Sequence, residues 1–423
     1  MPAYKHRMTK LFLRATLFAS TIALIQAQTD SRTAEIEAAR DRKESQLSPD
    51  TPNTWEQRLI YVKDAKVLER LSAGIAGVRL KIGGMPTGSG FAIGPDWFRE
   101  DWGRGEMVLN AGAQGSTRMW HKEYASVKAT GFAKNKLWWE AEALHHDYNS
   151  LTYYGPGPDS EKSNRTNYRL EQTTVDTMLG GRPVPMVRLG GSAGYLRVNV
   201  GAGQDERYAS SEKSFPAVPG FLRQTDFFRT GLFAQLDYRD NPIGTRAGGN
   251  YTLRYDYFHD QDLNLHDFRR LDLELQQYIP LYNKRRVIVV RTRAIQSFTR
   301  PGQVVPFYQQ ASLGGGNDLR GFRPYRFHDD NMLAMNAEYR WEVFSGLDMA
   351  LFFDAGRVSP RRWQFQFSQL ETAAGFGLRF NVRNATFMRI DAGFSHEGFQ
   401  VFVKFNGIFG DRSLHSSLAP HLF

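Results

Sequence analysis

The chain has 423 residues, a formal net charge of +10 at pH 7 and no cysteine. The lack of cysteine excludes disulfides, thiol-ligated metal sites and a cysteine nucleophile. The basic residues are spread along the chain and accompany no recognisable nucleic-acid-binding module, so we expect no nucleic-acid partner.

The N-terminus has the pattern of a bacterial signal peptide. Three basic residues, Lys5, Arg7 and Lys10, precede a short apolar run, and Ala27 marks a cleavage position. We therefore expect residues 1–27 to direct export. No later run approaches the roughly 20 apolar residues of a membrane helix, so strands rather than helices would have to cross a membrane.

A short mature segment, residues 28–73, follows the signal peptide. Residues 55–71 carry apolar side chains at near-helical spacing, which predicts one amphipathic helix. We expect a β-domain over residues 74–409 and a C-terminal tail over residues 410–423. The helical segment would lie either inside that domain, as a plug, or at its periplasmic mouth.

From residue 75 onward, apolar and polar residues alternate with the period of two that is typical of strands with two different faces. An even number of such strands suits a closed antiparallel membrane barrel with an apolar outer face and a polar lumen. The mean hydropathy of −0.48 is compatible with this, because only every second residue would face lipid. The sixteen segments are 75–83, 87–99, 106–119, 121–132, 136–149, 167–179, 185–200, 230–239, 249–260, 264–278, 286–299, 331–344, 347–357, 369–381, 385–396 and 399–409.

The connections between these segments alternate in length. Most connections that follow an even-numbered segment are short, as at residues 134–135 and 345–346. The long connections all follow odd-numbered segments. Membrane barrels have short periplasmic turns and long outer loops. The sequence therefore predicts an all-β, sixteen-stranded antiparallel transmembrane barrel. The long connections are 150–166, 201–228, 300–330 and 359–368.

One stretch, residues 313–358, carries the densest set of motifs. It begins as a glycine-rich loop with the tetrapeptide Leu-Arg-Gly-Phe at 319–322 and continues into two alternating strands. Glu338 and Asp354 fall on the polar faces of those strands, and Arg320 is the obvious cation to meet them. A guanidinium can satisfy two carboxylates with fixed geometry.

The tetrapeptide resembles the (V/I/L)-R-G-(F/Y) signature of the outer-membrane assembly and secretion barrels, the BamA/TamA/FhaC superfamily, also called the bacterial surface antigen family. Residues 352–356 resemble its F-x-D-x-G motif, and residues 336–338 resemble its acidic strand. The resemblance implies that the sixth outer loop folds into the lumen, where its arginine pairs with acidic wall residues. The residues of this loop-lock motif are Leu319, Arg320, Gly321, Phe322, Glu338 and Asp354.

The resemblance also implies a location and a function. Barrels of this family lie in the bacterial outer membrane, and we expect this one to assist the insertion or passage of protein or lipid. Residues 28–73 are too few for a POTRA domain with its βααββ order, so we expect a member that lacks these periplasmic domains. The seam between the first and last strands would be a lateral gate, formed by Gly77, Phe405, Gly407 and Phe409.

We expect no catalytic site, cofactor or metal. His145 and His146 would point to opposite faces of one strand and could not bind a metal together. The implied partners are outer-membrane lipids, with either unfolded outer-membrane protein clients or a separate periplasmic partner. Two alternatives stay open: a channel or structural barrel without insertase activity, and a hydrolase using the G-x-S-x-G sequence at Ser192. A hydrolase elbow requires a helix after its serine, and strand follows Ser192.

Overall fold

A computed structural model describes most of the β-domain. The predicted signal peptide, the helical segment at 28–73 and the tail at 410–423 lie outside the described residues, as do Gly407 and Phe409. The described ranges are 77–103, 106–242, 244–281, 284–344, 346–364, 366–382 and 385–405.

Sixteen strands form one antiparallel sheet, and their order in the sheet follows their order along the chain. The predicted all-β, sixteen-stranded antiparallel architecture is confirmed. The strands of this sheet are β1 (Val78–Ile82), β2 (Ala92–Trp102), β3 (Met107–Ser116), β4 (His121–Gly131), β5 (Leu137–Tyr153), β6 (Thr166–Gly181), β7 (Val187–Ala202), β8 (Phe227–Asp237), β9 (Gly248–Asp260), β10 (Phe268–Leu281), β11 (Arg286–Thr299), β14 (Asn331–Phe344), β15 (Leu347–Ser359), β16 (Glu371–Val382), β17 (Ala385–Ser395) and β18 (Gly398–Lys404).

The remaining elements are short and lie in the connections. A separate two-stranded hairpin, β12 (Ala311–Leu313) and β13 (Phe327–Asp329), lies in the connection between β11 and β14. Among the described residues, no helix is both long and apolar enough to cross a membrane. The short helices are α1 (Phe132–Asn135), α2 (Ser211–Ser214) and 3₁₀ turns at Lys162–Asn164, Phe307–Gln309 and Phe367–Gln369.

The two faces of the sheet differ as the alternation predicts. In β8, Arg229 and Gln235 are buried on the inner face, whereas Leu232 on the outer face is 67% exposed. In β15, Asp354 is buried and its neighbour Phe353 is 51% exposed. Because side chains of a strand alternate between faces, one register of these two strands places their buried charges inside and their large apolar residues outside.

The long connections all lie at one end of the sheet, here called the loop end, and the short ones lie at the other, the turn end. Several strands extend further towards the loop end than the sequence pattern predicts, since β5 runs to Tyr153 and β8 begins at Phe227. Inward aromatic residues at these strand ends pack against loop residues in a large apolar cluster, here called the aromatic cap. Its members include Tyr153, Tyr168, Phe221, Phe227, Phe258, Phe268, Phe307, Tyr308 and Tyr325.

The structure differs from the prediction of a closed barrel at the seam between the first and last strands. In the described part of the chain, no backbone ladder joins β1 to β18. Glycines with positive φ, Gly77 (φ 85°) and Gly83 (φ 73°), flank β1 and end its extended conformation after five residues. The two edges nevertheless lie close together, since a Cβ at Gly83 would stand 2.9 Å from Cβ of Phe405.

We expect Leu232→Arg to lower the free energy of unfolding in liposomes by about 2–4 kcal/mol, because a charge near the middle of the lipid-facing surface is desolvated. Guanidinium titration of the refolded protein measures this loss. Asn199→Arg is the matched control, since Asn199 is an outward residue near the loop end of β7. It should cost only about 0–1 kcal/mol. Equal costs at both positions would contradict a lipid-facing outer surface.

Candidate functional site

The connection between β11 and β14 carries the predicted loop-lock motif. Its hairpin β12–β13 brackets a tight reversal in which Gly314 (φ 115°) and Gly315 (φ 98°) adopt the left-handed conformation. The backbone N–H of Gly315 donates to the carbonyl oxygen of Phe322 at 3.2 Å. The backbone N–H of Phe322 donates to the carbonyl oxygen of Leu319 at 3.1 Å. These bonds close a compact loop with Arg320 at its apex.

Arg320 lies against both carboxylates that the sequence singles out. Its Nη1 donates to Oε2 of Glu338 at 2.6 Å. Its Nε and Nη2 donate to the two oxygens of Asp354, each at 2.8 Å, and its backbone N–H also donates to Asp354 at 3.1 Å. The guanidinium stacks over Phe352 with its carbon 3.5 Å from the ring centroid. The contact is thus bidentate on one carboxylate and charge-assisted on both.

The charges around Arg320 form a network across four neighbouring strands. Arg379 on β16 lies 3.1 Å from Glu338 and 2.6 Å from Asp391 on β17. Asp391 also lies 3.7 Å from Arg320. Arg340 on β14 donates to the second oxygen of Glu338 at 2.7 Å. Glu338 and Asp391 therefore each face more than one guanidinium, which offsets the cost of shielding their charges from water.

The residues flanking Arg320 fit the loop to the wall by packing. Leu319 and Phe322 are fully buried in an apolar cluster with Ala373. Gly321 lies so close to the wall that a Cβ there would stand 2.7 Å from Cβ of Ala373 and 2.9 Å from the carbonyl oxygen of Phe394. The motif thus needs glycine at this position for space.

The same loop is bound to the last two strands of the sheet. Arg389 on β17 donates to the carbonyl oxygen of Gly316 at 2.6 Å and to Oδ1 of Asn317 at 2.9 Å. The ammonium of Lys404 at the end of β18 donates to the same Asn317 oxygen at 2.8 Å. Ser395 donates to the carbonyl oxygen of Gly321 at 2.8 Å. The loop therefore contacts every strand from β14 to β18.

A model of the Omp85 superfamily domain matches residues 103–396, which is more than half of the chain. The chain belongs to the Omp85 superfamily. The predicted family resemblance is confirmed by this match and by the sixteen-stranded sheet. No curated protein matches the chain at a significant level.

Solved structures of other barrels have a similar fold. BamA from Haemophilus ducreyi lacking POTRA domains 1–3 is 15% identical with a TM-score of 0.57, covering 78% of this chain and 70% of that one. CdiB from Escherichia coli is 12% identical with a TM-score of 0.53, covering 79% of this chain and 63% of that one. CdiB from Acinetobacter baumannii is 11% identical with a TM-score of 0.47, covering 79% and 60%.

Of the residues predicted for the gate, Gly77 and Phe405 are described, and they lie at the two edges of the sheet. Gly77 directly precedes β1, and its carbonyl oxygen accepts the N–H of Phe98 on β2 at 2.8 Å. Phe405 directly follows β18, and its ring lies 6.0 Å from that of Phe91 in the first hairpin. The structure therefore places Phe405 at the seam. The gate role of these residues stays a prediction.

The aromatic cap packs against the hairpin β12–β13 of the same loop. His328 on β13 is fully buried, and burial lowers the pKa of its imidazole to about 3. Its ring lies 5.1 Å from that of Tyr153. Burial, helped by the charge of Asp330, raises the pKa of the Asp329 carboxyl to about 7. At neutral pH the imidazole of His328 is therefore uncharged, while the carboxyl of Asp329 is partly protonated.

The hydrolase alternative finds no support in the local structure. Ser192 lies in the middle of β7 on its inner face, and Nη2 of Arg254 donates to its hydroxyl oxygen at 3.2 Å. The strand continues for ten further residues to Ala202, so the strand-to-helix turn that exposes a catalytic serine is missing at this site.

Sequence reasoning named Arg320, Glu338 and Asp354 but did not place Asp391, Arg340 or Arg379 around them. The structure brings these three together because β14, β16 and β17 are near neighbours in the sheet. The signal available in the sequence was the alternation along β17, which places Arg389 and Asp391 on the inner face. Alternation determines only which face of the strand a residue lies on. The neighbouring strands and their register decide which inward residues come into contact.

We expect Arg320→Ala to lower the free energy of unfolding by about 3–5 kcal/mol, because Glu338 and Asp354 would be left buried without their shared cation. Denaturant titration and heat-modifiable gel mobility of the refolded barrel measure this loss. Arg207→Ala is the control and should change little, since Arg207 is 70% exposed and pairs only at the surface with Asp205.

A charge-exchange variant distinguishes the loss of the ion pair from the loss of side-chain volume. Arg320→Glu combined with Glu338→Arg should recover part of the stability that either substitution loses alone. No recovery would weaken the pairing, and an Arg320→Ala barrel as heat-resistant as wild type would refute it.

We expect Gly393→Ala to displace the loop, because a Cβ at Gly393 would overlap the carbonyl oxygen of Arg320. Protease digestion of the refolded barrel should cut the loop faster in this variant. Gly201→Ala serves as the control, since a Cβ there meets nothing within 4 Å. If both variants resist protease equally, the tight contact between loop and wall does not hold the loop in place.

Proposed function

We propose that this Omp85 barrel lies in the bacterial outer membrane and assists the insertion or passage of a protein or lipid there. The observation that carries the proposal is that no backbone ladder joins β1 to β18 among the described residues. The work would be mechanical, with no catalytic step. Its partners would be outer-membrane lipids and either unfolded outer-membrane protein clients or a separate periplasmic protein.

Among the described residues, the two edge strands pair over fewer residues than the strands in the middle of the sheet. β1 pairs with β2 over five residues and β18 pairs with β17 over seven, whereas β6 pairs with β7 over fourteen. An edge strand presents backbone N–H and C=O groups that lack a sheet partner, and such an edge is a template for another strand. In lipid these groups are costly to leave unpaired, which favours thinning or opening of the bilayer at the seam.

The two sides of the seam are supported independently. On one side, the loop network reaches β18 through the contact of Lys404 with Asn317. On the other, the inner face of β1 is bound by Arg79 to Asp96 on β2, while the ammonium of Lys81 donates to the hydroxyl of Tyr124 at 3.0 Å. Because neither support crosses the seam, the two edges could separate without breaking either.

A channel is the second candidate, and the charged inner face favours it. Against it stands the aromatic cap, in which residues such as Phe307 and Tyr308 are 0–1% exposed. Apolar side chains packed across the loop end would obstruct the passage of solutes. The seam therefore supports insertion better than the lumen supports steady conductance.

We expect the barrel in liposomes to accelerate the folding of a small, unfolded outer-membrane protein relative to empty liposomes. Folding is followed by heat-modifiable gel mobility of the client. Arg320→Ala should lose most of this acceleration, because the loop would no longer support the last strands. Equal folding rates with and without the wild-type barrel would contradict the proposal and favour the channel.

A cross-link tests whether the seam itself is used. The chain has no cysteine, so Phe91→Cys and Phe405→Cys can be joined selectively by a short bismaleimide. We expect the joined barrel to stop accelerating client folding, while each single-cysteine variant treated with the same reagent keeps its activity. A joined barrel as active as its controls would show that insertion does not proceed through this seam.

A further inference from the structure

A cluster of potential metal ligands lies on the outer face of the sheet, away from the loop network and the seam. His121 and Glu123 lie two residues apart on β4, so both side chains leave the same face of that strand. His145 on β5 lies directly opposite Glu123 in the strand register. It is the one such cluster in the described part of the chain.

The distances bring these groups into one site. One ligand atom from each of the three residues lies within 4.8 Å of the others. Nδ1 of His121 lies 3.2 Å from Oε1 of Glu123, and the imidazole centroids of His121 and His145 are 5.9 Å apart. Ligands around a tetrahedral ion at about 2.0–2.2 Å stand roughly 3.3 Å apart, so small side-chain rotations would close the site.

A neighbouring residue helps to orient one of the imidazoles. Nδ1 of His145 lies 2.8 Å from Oγ1 of Thr173 on β6. An imidazole that donates its Nδ1–H to this hydroxyl leaves the lone pair of Nε2 available for a metal. Such outer contacts are a regular feature of histidine metal sites, where they fix the ring and its tautomer.

The surroundings supply further negative charge. Asp147 on β5, opposite His121 in the register, has an oxygen 3.7 Å from Nε2 of His121. Nε of Arg169 donates to Asp147 at 2.8 Å and holds that carboxylate beside the cluster. The side chains of His121 and Glu123 are 46% and 47% exposed, so an ion can reach the cluster from outside the sheet.

We propose that His121, Glu123 and His145 bind a divalent transition-metal ion such as Zn²⁺ on the outer face of the barrel. Two imidazoles and a carboxylate suit Zn²⁺, Ni²⁺ or Cu²⁺, whereas Mg²⁺ and Ca²⁺ prefer ligand sets made of oxygen. Three protein ligands leave one position for water or for a group from another molecule. The ion would bind β4 and β5 together close to the loop end.

The test is a calorimetric titration of Zn²⁺ into the full chain, purified without a histidine tag, folded in detergent micelles and stripped with a chelator. We expect one saturable site in the wild type and none with His145→Ala or His121→Ala. Thr173→Val should bind about tenfold more weakly, because the imidazole of His145 would lose its orienting partner. Mg²⁺ should give no saturable binding.

His259→Ala is the matched control. His259 is also an outward histidine near the loop end, 51% exposed, and contacts the carboxylate of Asp267 at 3.1 Å. Zn²⁺ should bind this variant as it binds the wild type. Gel mobility without heating shows whether each variant is folded. Glu123→Gln is a conservative second variant for the case that a histidine variant fails to fold, and it should bind Zn²⁺ more weakly.

Two results would overturn the proposal. One is the absence of saturable Zn²⁺ binding to the folded wild type. The other is binding of equal affinity in the wild type and in His145→Ala, or in Glu123→Gln where His145→Ala is not folded. Neither result bears on the seam, because the cluster shares no residue with it.

Discussion

The buried charge of Arg320 constrains the arrangement of strands β14 to β17. The residue is 1% exposed, and removing a guanidinium from water is costly unless carboxylates meet it in good geometry. Glu338 and Asp354 meet it from β14 and β15, and Asp391 approaches it from β17. The loop can therefore occupy this place only when these strands are already in register. The charge couples folding of the loop to folding of the wall.

The loop also determines how the last strands are supported. Its residues Gly316 and Asn317 accept hydrogen bonds from Arg389 and Lys404. The edge strand β18, which has a sheet neighbour only in β17 among the described residues, thus gains a second attachment on its inner face. The first strand has no corresponding tie to this loop among the hydrogen bonds of the described residues, and it depends on the polar inner residues of β2 and β4 instead.

The distribution of apolar residues separates the two ends of the molecule. At the loop end the inner face changes from charged to aromatic, and stacked rings such as Phe221 on Phe307, 3.7 Å apart, bind two long connections together. Further from that end the inner face is polar, as in the pair formed by Arg293 and Asp272. The inner face is thus charged in the middle and apolar at the loop end, whereas the large exposed apolar residues lie on the outer face, as expected of a lipid contact.

The sequence by itself determined the strands, their faces and the centre of the site. A period of two specifies which residues share a face, and a buried face leaves little freedom of register. The sixteen strands and the inward positions of Glu338 and Asp354 could therefore be predicted. Only the tertiary structure decided which inward groups meet. Asp391 joins Arg320 because β17 lies near β15 in the sheet, and His145 meets Glu123 because their strands are adjacent. Closure, too, depended on pairing between the two ends of the chain, which local patterns do not encode.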